Sequence, residues 1–175
     1  MKKIYIPGQC YFITTNTARR EWVYGSSRNI VYIPHDKRCQ ILINVLNYTR
    51  EKLKYLLHSY VIMPDHMHLI LSTGDKSPDT RFEENVPANI SRIMHAIKGR
   101  SARLTNQQLK KTGSIWQEDF YEHCIRNRKD YEEKLNYIHY NPVRAGFVDE
   151  PGDFQYSSFR NYFIGGYPVI NIDLQ

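Results

Sequence analysis

The most constraining feature of the chain is a pair of apolar runs, Ser59-Tyr60-Val61-Ile62-Met63 and His66-Met67-His68-Leu69-Ile70-Leu71-Ser72, separated only by Pro64-Asp65. Runs of this length around a turn dipeptide predict two strands joined by a tight turn. Side chains alternate along a strand, so His66 and His68 project from one face and Met67 from the other. The aromatic and β-branched segment Tyr11-Phe12-Ile13-Thr14-Thr15 predicts another strand, and 115–125 reads as extended structure.

Helical periodicity fills the intervals. After the turn and cap at Pro34-His35-Asp36, a helix is expected over 36–57, with Ile41, Val45, Tyr48, Lys52 and Tyr55 at spacings of three and four. A second is expected over 88–111, with Ile90, Ile93, Met94 and Ile97 inward and Gly99 as a weak point. A third is expected over 129–141, capped by Asp130 or Asn127, ended by Pro142 and followed by a left-handed turn at Gly146. Residues 73–87 read as a polar loop. The order β, α, β, β, α, β, α predicts an α+β, ferredoxin-like split βαβ sandwich with the helices on one face of an antiparallel sheet.

Length and composition limit the alternatives. The 175 residues fit one domain over 1–175, with 151–175 as an aromatic-rich C-terminal extension. Hydrophobic residues at 41% and charged residues at 24% exclude a disordered chain, and no run approaches the roughly 18 apolar residues of a membrane span. The N-terminus breaks at Pro7-Gly8 before a signal-peptide core can form, which predicts a cytoplasmic protein. Cys10, Cys39 and Cys124 have neither disulfide-framework nor zinc spacing.

The net charge of +6 is concentrated: Arg92, Lys98, Arg100, Arg103, Lys110 and Lys111 fall in a window, 92–111, that holds no Asp or Glu. A local excess of that kind points to a polyanion such as nucleic acid, though a solvated helix face explains it equally well. His66 and His68 can together grip a divalent cation, but two imidazoles are too few for a stable site. On the third helix Tyr137 and Asn141 lie one turn apart, on a polar stripe with Glu133 and Lys134 and away from the apolar stripe of Tyr131, Leu135 and Ile138. An amide oxygen at Asn141 suits a third ligand, with the Tyr137 phenol a turn away. Spacing alone also allows Asn141 to be a plain helix end, and Tyr121, Tyr131 or Tyr140 to take the place of Tyr137. Asp65 can either orient His66 or serve the turn.

The run Tyr60-Val61-Ile62-Met63-Pro64-Asp65-His66-Met67-His68-Leu69-Ile70 resembles the HUH motif of single-tyrosine transposases, in which U is a hydrophobic residue, here Met67. Trp116-Gln117 followed by Tyr121-Glu122-His123-Cys124-Ile125-Arg126 is similar to the segment before the tyrosine helix of the same proteins. Tyr137-Ile138-His139-Tyr140-Asn141-Pro142-Val143-Arg144-Ala145-Gly146-Phe147-Val148, with Ser157-Ser158-Phe159 beyond it, is similar to the REP-associated tyrosine transposase branch. The resemblance spans about residues 5–165.

It implies a ferredoxin-like HUH endonuclease domain that cuts and rejoins single-stranded DNA through a covalent 5′-phosphotyrosine. By motif match His66, His68 and Asn141 would hold Mg²⁺ or Mn²⁺, and Tyr137 would be the nucleophile. More distant relatives carry Gln where this chain has Asn141, whose shorter arm tightens the geometry. The implied partner is single-stranded DNA with hairpin or inverted-repeat elements, in a nucleoid-associated protein, with a homodimer compatible. Arg92, Lys98, Arg100, Arg103, Arg126, Arg128 and Arg144 are the expected backbone contacts. Two other classes compete. A histidine-triad nucleotide hydrolase needs a further His where Ile70 stands, and a domesticated DNA-binding protein would keep the fold without cleavage.

Overall fold

A computed structural model describes residues 8–18, 35–73, 89–110, 112–165 and 168–174, with residues 35 and 36 described by backbone alone. Strand β1 (Cys10–Asn16) is followed by α1 (His35–Leu53), the hairpin β2 (Tyr55–Ile62) and β3 (His66–Thr73), α2 (Ile90–Leu109), β4 (Tyr121–Cys124) and α3 (Arg128–Arg144). A short 3-10 turn (Pro151–Asp153) and α4 (Phe159–Phe163) complete the described chain. The four strands form one antiparallel sheet in the order β2-β3-β1-β4. Each helical crossover joins strands separated by a third, which is the expected ferredoxin-like split βαβ arrangement.

Both faces of the sheet are buried, and alternation assigns the residues. Met67, Leu69 and Leu71 of β3 join Tyr11 and Ile13 of β1, Leu42 and Leu46 of α1, and Ile90, Ile93, Met94 and Ile97 of α2 in one core. Cys10, Phe12, Val61, Met63 and Ile70 form a second core on the other face with Leu135 and Ile138 of α3 and Phe154. The expectation of helices on one face therefore holds for α1 and α2, whereas α3 covers the opposite face. Strand β2 keeps its inward set through a bulge: register shifts between Leu57 and Ser59, so Tyr55 and Leu57 before it and Tyr60 and Ile62 after it enter the same core.

Three boundaries differ from expectation for local reasons. Helix α1 stops at Leu53 rather than 57, because Lys54 adopts a left-handed conformation (φ 54°) and its N–H returns to Arg50 O at 2.8 Å. Tyr55, assigned to the helical stripe by its spacing, instead begins β2. Helix α3 is capped by Asn127, whose side chain accepts from Asp130 N–H, and runs past Pro142 to Arg144. It then closes as a Schellman motif: Phe147 N–H donates to Pro142 O, Gly146 N–H to Val143 O, and Gly146 takes the positive φ of 72°. The expected turn at Pro34 and the expected loop at 73–87 fall, apart from Thr73, outside the described residues.

The chain beyond Pro151 is tied to the edge of β2 and to α3. Ile62 N–H donates to Tyr156 O and Ser158 N–H to Tyr60 O. Ser158 Oγ accepts from Tyr60 N–H and lies 2.8 Å from Ser59 Oγ and 3.0 Å from His139 Nε2. None of the three cysteines is joined in a disulfide among the described residues. No described helix is long and apolar enough to cross a membrane.

Two outcomes follow from these packings. Left-handed backbone costs a non-glycine residue about 1 kcal/mol, so Lys54→Gly should raise Tm by about 2–4 °C in a thermal melt; an unchanged or lower Tm would contradict the role given to Lys54. Burial pushes His139 down from 6.5 to about 4, so between those pH values the unfolded chain binds a proton that the fold refuses. Stability should therefore be flat above about pH 7 and fall as pH drops through that window, and His139→Gln should shallow the fall measured by melts across pH.

Candidate active site

The face of the sheet under α3 carries a continuous row of side chains. Antiparallel register sets Val61 opposite His68, His68 opposite Thr14, and Thr14 opposite Tyr121; the next row toward the hairpin turn pairs Asn16 with His66. His68 is 3% exposed and stacks on Phe12, with ring centroids 5.4 Å apart and planes at 20°. Its Nδ1 lies 2.8 Å from Thr14 Oγ1. Burial, followed by the neighbouring His66, pushes His68 down to about 3, which keeps it neutral. His66 Nδ1 lies 2.6 Å from Asp65 Oδ1, while the Asp65 carbonyl accepts from Thr17 N–H and Oγ–H. Asp65 thus serves the turn and His66 together.

Helix α3 supplies the other half. Leu135, Ile138 and Pro142 are buried beneath it. This orientation leaves Lys134, Tyr137, Asn141 and Arg144, at spacings of three, four and three, along the edge facing the two imidazoles. The Tyr137 ring stands edge-on 5.1 Å from His68 and 5.8 Å from Phe12, and Tyr137 is 40% exposed. Asn141 reaches between the histidines: its Oδ1 lies 3.2 Å from His66 Nε2 and its Nδ2 3.2 Å from His68 Nε2. The Arg144 guanidinium sits 5.5 Å from the Tyr137 ring centroid, and the Lys134 ammonium 5.5 Å from that of Phe12.

The hydrogen bonds at Nδ1 determine what Nε2 offers. A carboxylate only accepts, so His66 donates Nδ1–H to Asp65, which leaves a lone pair on Nε2 in the neutral ring. That lone pair faces another acceptor, Asn141 Oδ1. A cation between the two relieves the repulsion. Two imidazole nitrogens and an amide oxygen, each ring oriented from its far side, form a donor set that suits a divalent cation. Among the described residues no group of three His, Cys, Asp or Glu converges, so the amide is what extends the histidine pair.

The other tyrosines weighed by spacing have different surroundings. Tyr131 Oη is 2.8 Å from Tyr162 Oη, and burial raises its pKa strongly. Tyr140 is exposed, and Tyr121 packs edge-on against Phe12 at 6.4 Å. Of the basic residues, Arg92, Lys98, Arg100 and Arg103 lie on α2, in the layer across the sheet from Tyr137. Lys98 donates to the carbonyls of Glu118 and Asp119, and Arg100 stacks 3.7 Å from the Tyr48 ring centroid. Arg128 pairs with Glu132 at 2.8 Å, Arg126 is exposed, and Arg144 contacts Tyr137. Phe12 and Thr14 were not singled out by the sequence, because only cross-strand register reveals that they touch His68. Lys134 was visible there only as a member of the polar stripe.

Comparison with known proteins agrees with this architecture. A profile of the family described as "Transposase IS200 like" matches residues 22–141. The REP-associated tyrosine transposase of Escherichia coli (strain K12) is 29% identical over 171 residues, covering 96% of this chain and 87% of the relative. A putative REP-associated tyrosine transposase of Haemophilus influenzae is 28% identical over 158 residues, covering 81% and 84%. A solved structure of a REP-associated tyrosine transposase bound to a REP hairpin superposes with a TM-score of 0.67 at 25% identity, covering 100% of this chain and 92% of that one. With its profile match extending over most of the sequence, the chain belongs to the IS200-like transposases, a family of DNA-cleaving enzymes.

Proposed function

We propose that the protein is a metal-dependent transesterase that cuts and rejoins single-stranded DNA at hairpin-bearing sites through a 5′-phosphotyrosine. The observation that carries this reading is the meeting of Tyr137 with His68, while Asn141 spans both imidazoles. The hairpin bound by the structural relative supports the choice of DNA. Tyr137 and the histidines meet within one chain, which supports action of the tyrosine at its own protomer's metal.

His66, His68 and Asn141 would hold the cation, Mg²⁺ or Mn²⁺. Such a cation, when bound, supplies Lewis-acid stabilisation of charge on the scissile phosphate. The remaining steps belong to the protein and the DNA. Tyr137 Oη loses its proton and attacks phosphorus; the Oη–P bond forms as the P–O3′ bond breaks, and the departing 3′ oxygen takes a proton. The product strand carries 5′-phosphotyrosine, with a free 3′-hydroxyl on the other. A 3′-hydroxyl attacking the same phosphorus reverses the exchange, returning the proton to the phenol, so rejoining needs no nucleotide hydrolysis. Arg144 beside Tyr137, together with the exposed heads of Arg126 and Arg103, is suited to DNA phosphates. Lys98 and Arg100 instead hold the protein to itself.

Labelled hairpin-bearing single-stranded DNA incubated with Mn²⁺ should yield an adduct on a denaturing gel that Tyr137→Phe abolishes. His66→Ala should still bind DNA and fail to cleave it. Normal cleavage by His66→Ala would overturn the metal assignment, and binding without any adduct would favour a domesticated DNA-binding protein. Thr14→Val removes the oxygen that orients His68, so Mn²⁺ affinity by titration calorimetry should weaken about 10–100-fold; an unchanged affinity would disconnect Thr14 from the site.

A further inference from the structure

Among the described residues the β4 side of the reactive face is left open. Helix α3 packs over β2 and β3, while Tyr121, on the edge strand β4, is 57% exposed. Its register opposite Thr14 aims it to the same side of the sheet as His68, two strands away or roughly 10 Å. Phe12, 5% exposed, fills the interval and touches the edge or face of Tyr121, His68 and Tyr137 alike. The Lys134 ammonium caps that same Phe12 ring.

The charges around this shelf favour an anion. Asp130, one turn before Lys134, is engaged by His123 Nε2 at 2.8 Å and by Arg126 N–H at 3.0 Å. Glu122 faces the other side of the sheet, opposite Ile13. The Lys134 charge also acts on Asp130, but among the described residues Lys134 makes no direct ion pair. An exposed aromatic ring, a cation and the Tyr137 phenol are thus joined through one buried phenylalanine.

The geometry points to a nucleotide subsite beside the nucleophile, in which Tyr121 stacks on an unpaired base next to the scissile linkage and Lys134 takes a backbone phosphate of the same strand. The inference rests on the transesterase reading and adds to it where the flanking single strand lies: over β4, rather than over α2 and its basic cluster. Stacking suits this place because a phenol ring offers every base a π-face without demanding a particular hydrogen-bond pattern. The cation supplies attraction that weakens with salt.

Two measurements test it, one of them independent of cleavage. In fluorescence anisotropy with labelled oligo-dT, Tyr121→Ala should weaken binding about tenfold and Tyr121→Trp should restore it. Lys134→Ala should lower the slope of log affinity against log salt by about 0.7. Circular dichroism and thermal melts of each variant check the fold, which an exposed edge residue should leave intact. In the second measurement, hairpin oligonucleotides with randomised flanks are selected by adduct formation, and each nucleotide beside the cleaved linkage is replaced in turn by an abasic one. Wild type should lose about tenfold in adduct rate at one such position, and Tyr121→Ala should be insensitive at that position.

Wild-type affinity and salt slope in both variants, or an unchanged abasic profile in Tyr121→Ala, would overturn the subsite while leaving Tyr137 chemistry standing. Loss of binding in Tyr121→Ala and Lys134→Ala without an adduct from any wild-type library would sink the transesterase reading and retain the strand-binding shelf.

Discussion

The burial of β3 on both faces governs the rest of the molecule. Met67, Leu69 and Leu71 are committed to the core beneath α1 and α2, so His66, His68 and Ile70 must emerge on the opposite face. A slip of one residue would exchange these sets and place two imidazoles in an apolar core, at a desolvation cost that the hydrophobic gain cannot offset. Pairing with β1 then fixes the chemistry of this second set: the register that joins Ile13 to Leu69 also sets Thr14 against His68 and Phe12 within stacking distance. Rigid core packing and orientation of the imidazoles are two consequences of one ladder.

Helix α3 meets this strand under a similar constraint. Leu135, Ile138 and Pro142 fix its rotation by entering the second core, and the helical repeat then leaves Tyr137 and Asn141 at the edge nearest the histidines. His139 and the Ser158 hydroxyl hold the helix from the tail side, and Gly146 permits the chain to turn back toward Phe154. The phenol is consequently positioned by apolar contacts on the far side of its own helix. A substitution in that apolar stripe would move the reactive edge without touching any residue on it.

Much of this was legible in the residue pattern. Two-residue alternation put the histidines on one face, and four-residue spacing put Tyr137 with Asn141. Hydrophobic periodicity located the apolar side of α2, and the order of elements gave the split βαβ core. What escaped the sequence was of two kinds. Helix ends set by backbone conformation leave weak marks: Lys54 closes α1 without the usual glycine, and Pro142 sits within the last turn of α3 because the chain goes on to a Schellman closure. Contacts set by tertiary register leave none, which is why Thr14, Phe12 and Tyr121 were not connected to His68. The basic window illustrates the same limit. Its charges are real, but the sheet stands between most of them and Tyr137, and two of the side chains are occupied in holding loops and helices together.

The central claim is that the Tyr137 phenol and the histidine pair act on one phosphodiester. Its most direct test is to trap the protein on a cleaved hairpin strand, digest the complex and locate the nucleotide-bearing residue by tandem mass spectrometry. The account predicts a single modified residue, Tyr137, with the label attached through a 5′ phosphate. Attachment at Tyr121, Tyr140 or a serine, or through a 3′ phosphate, would contradict it.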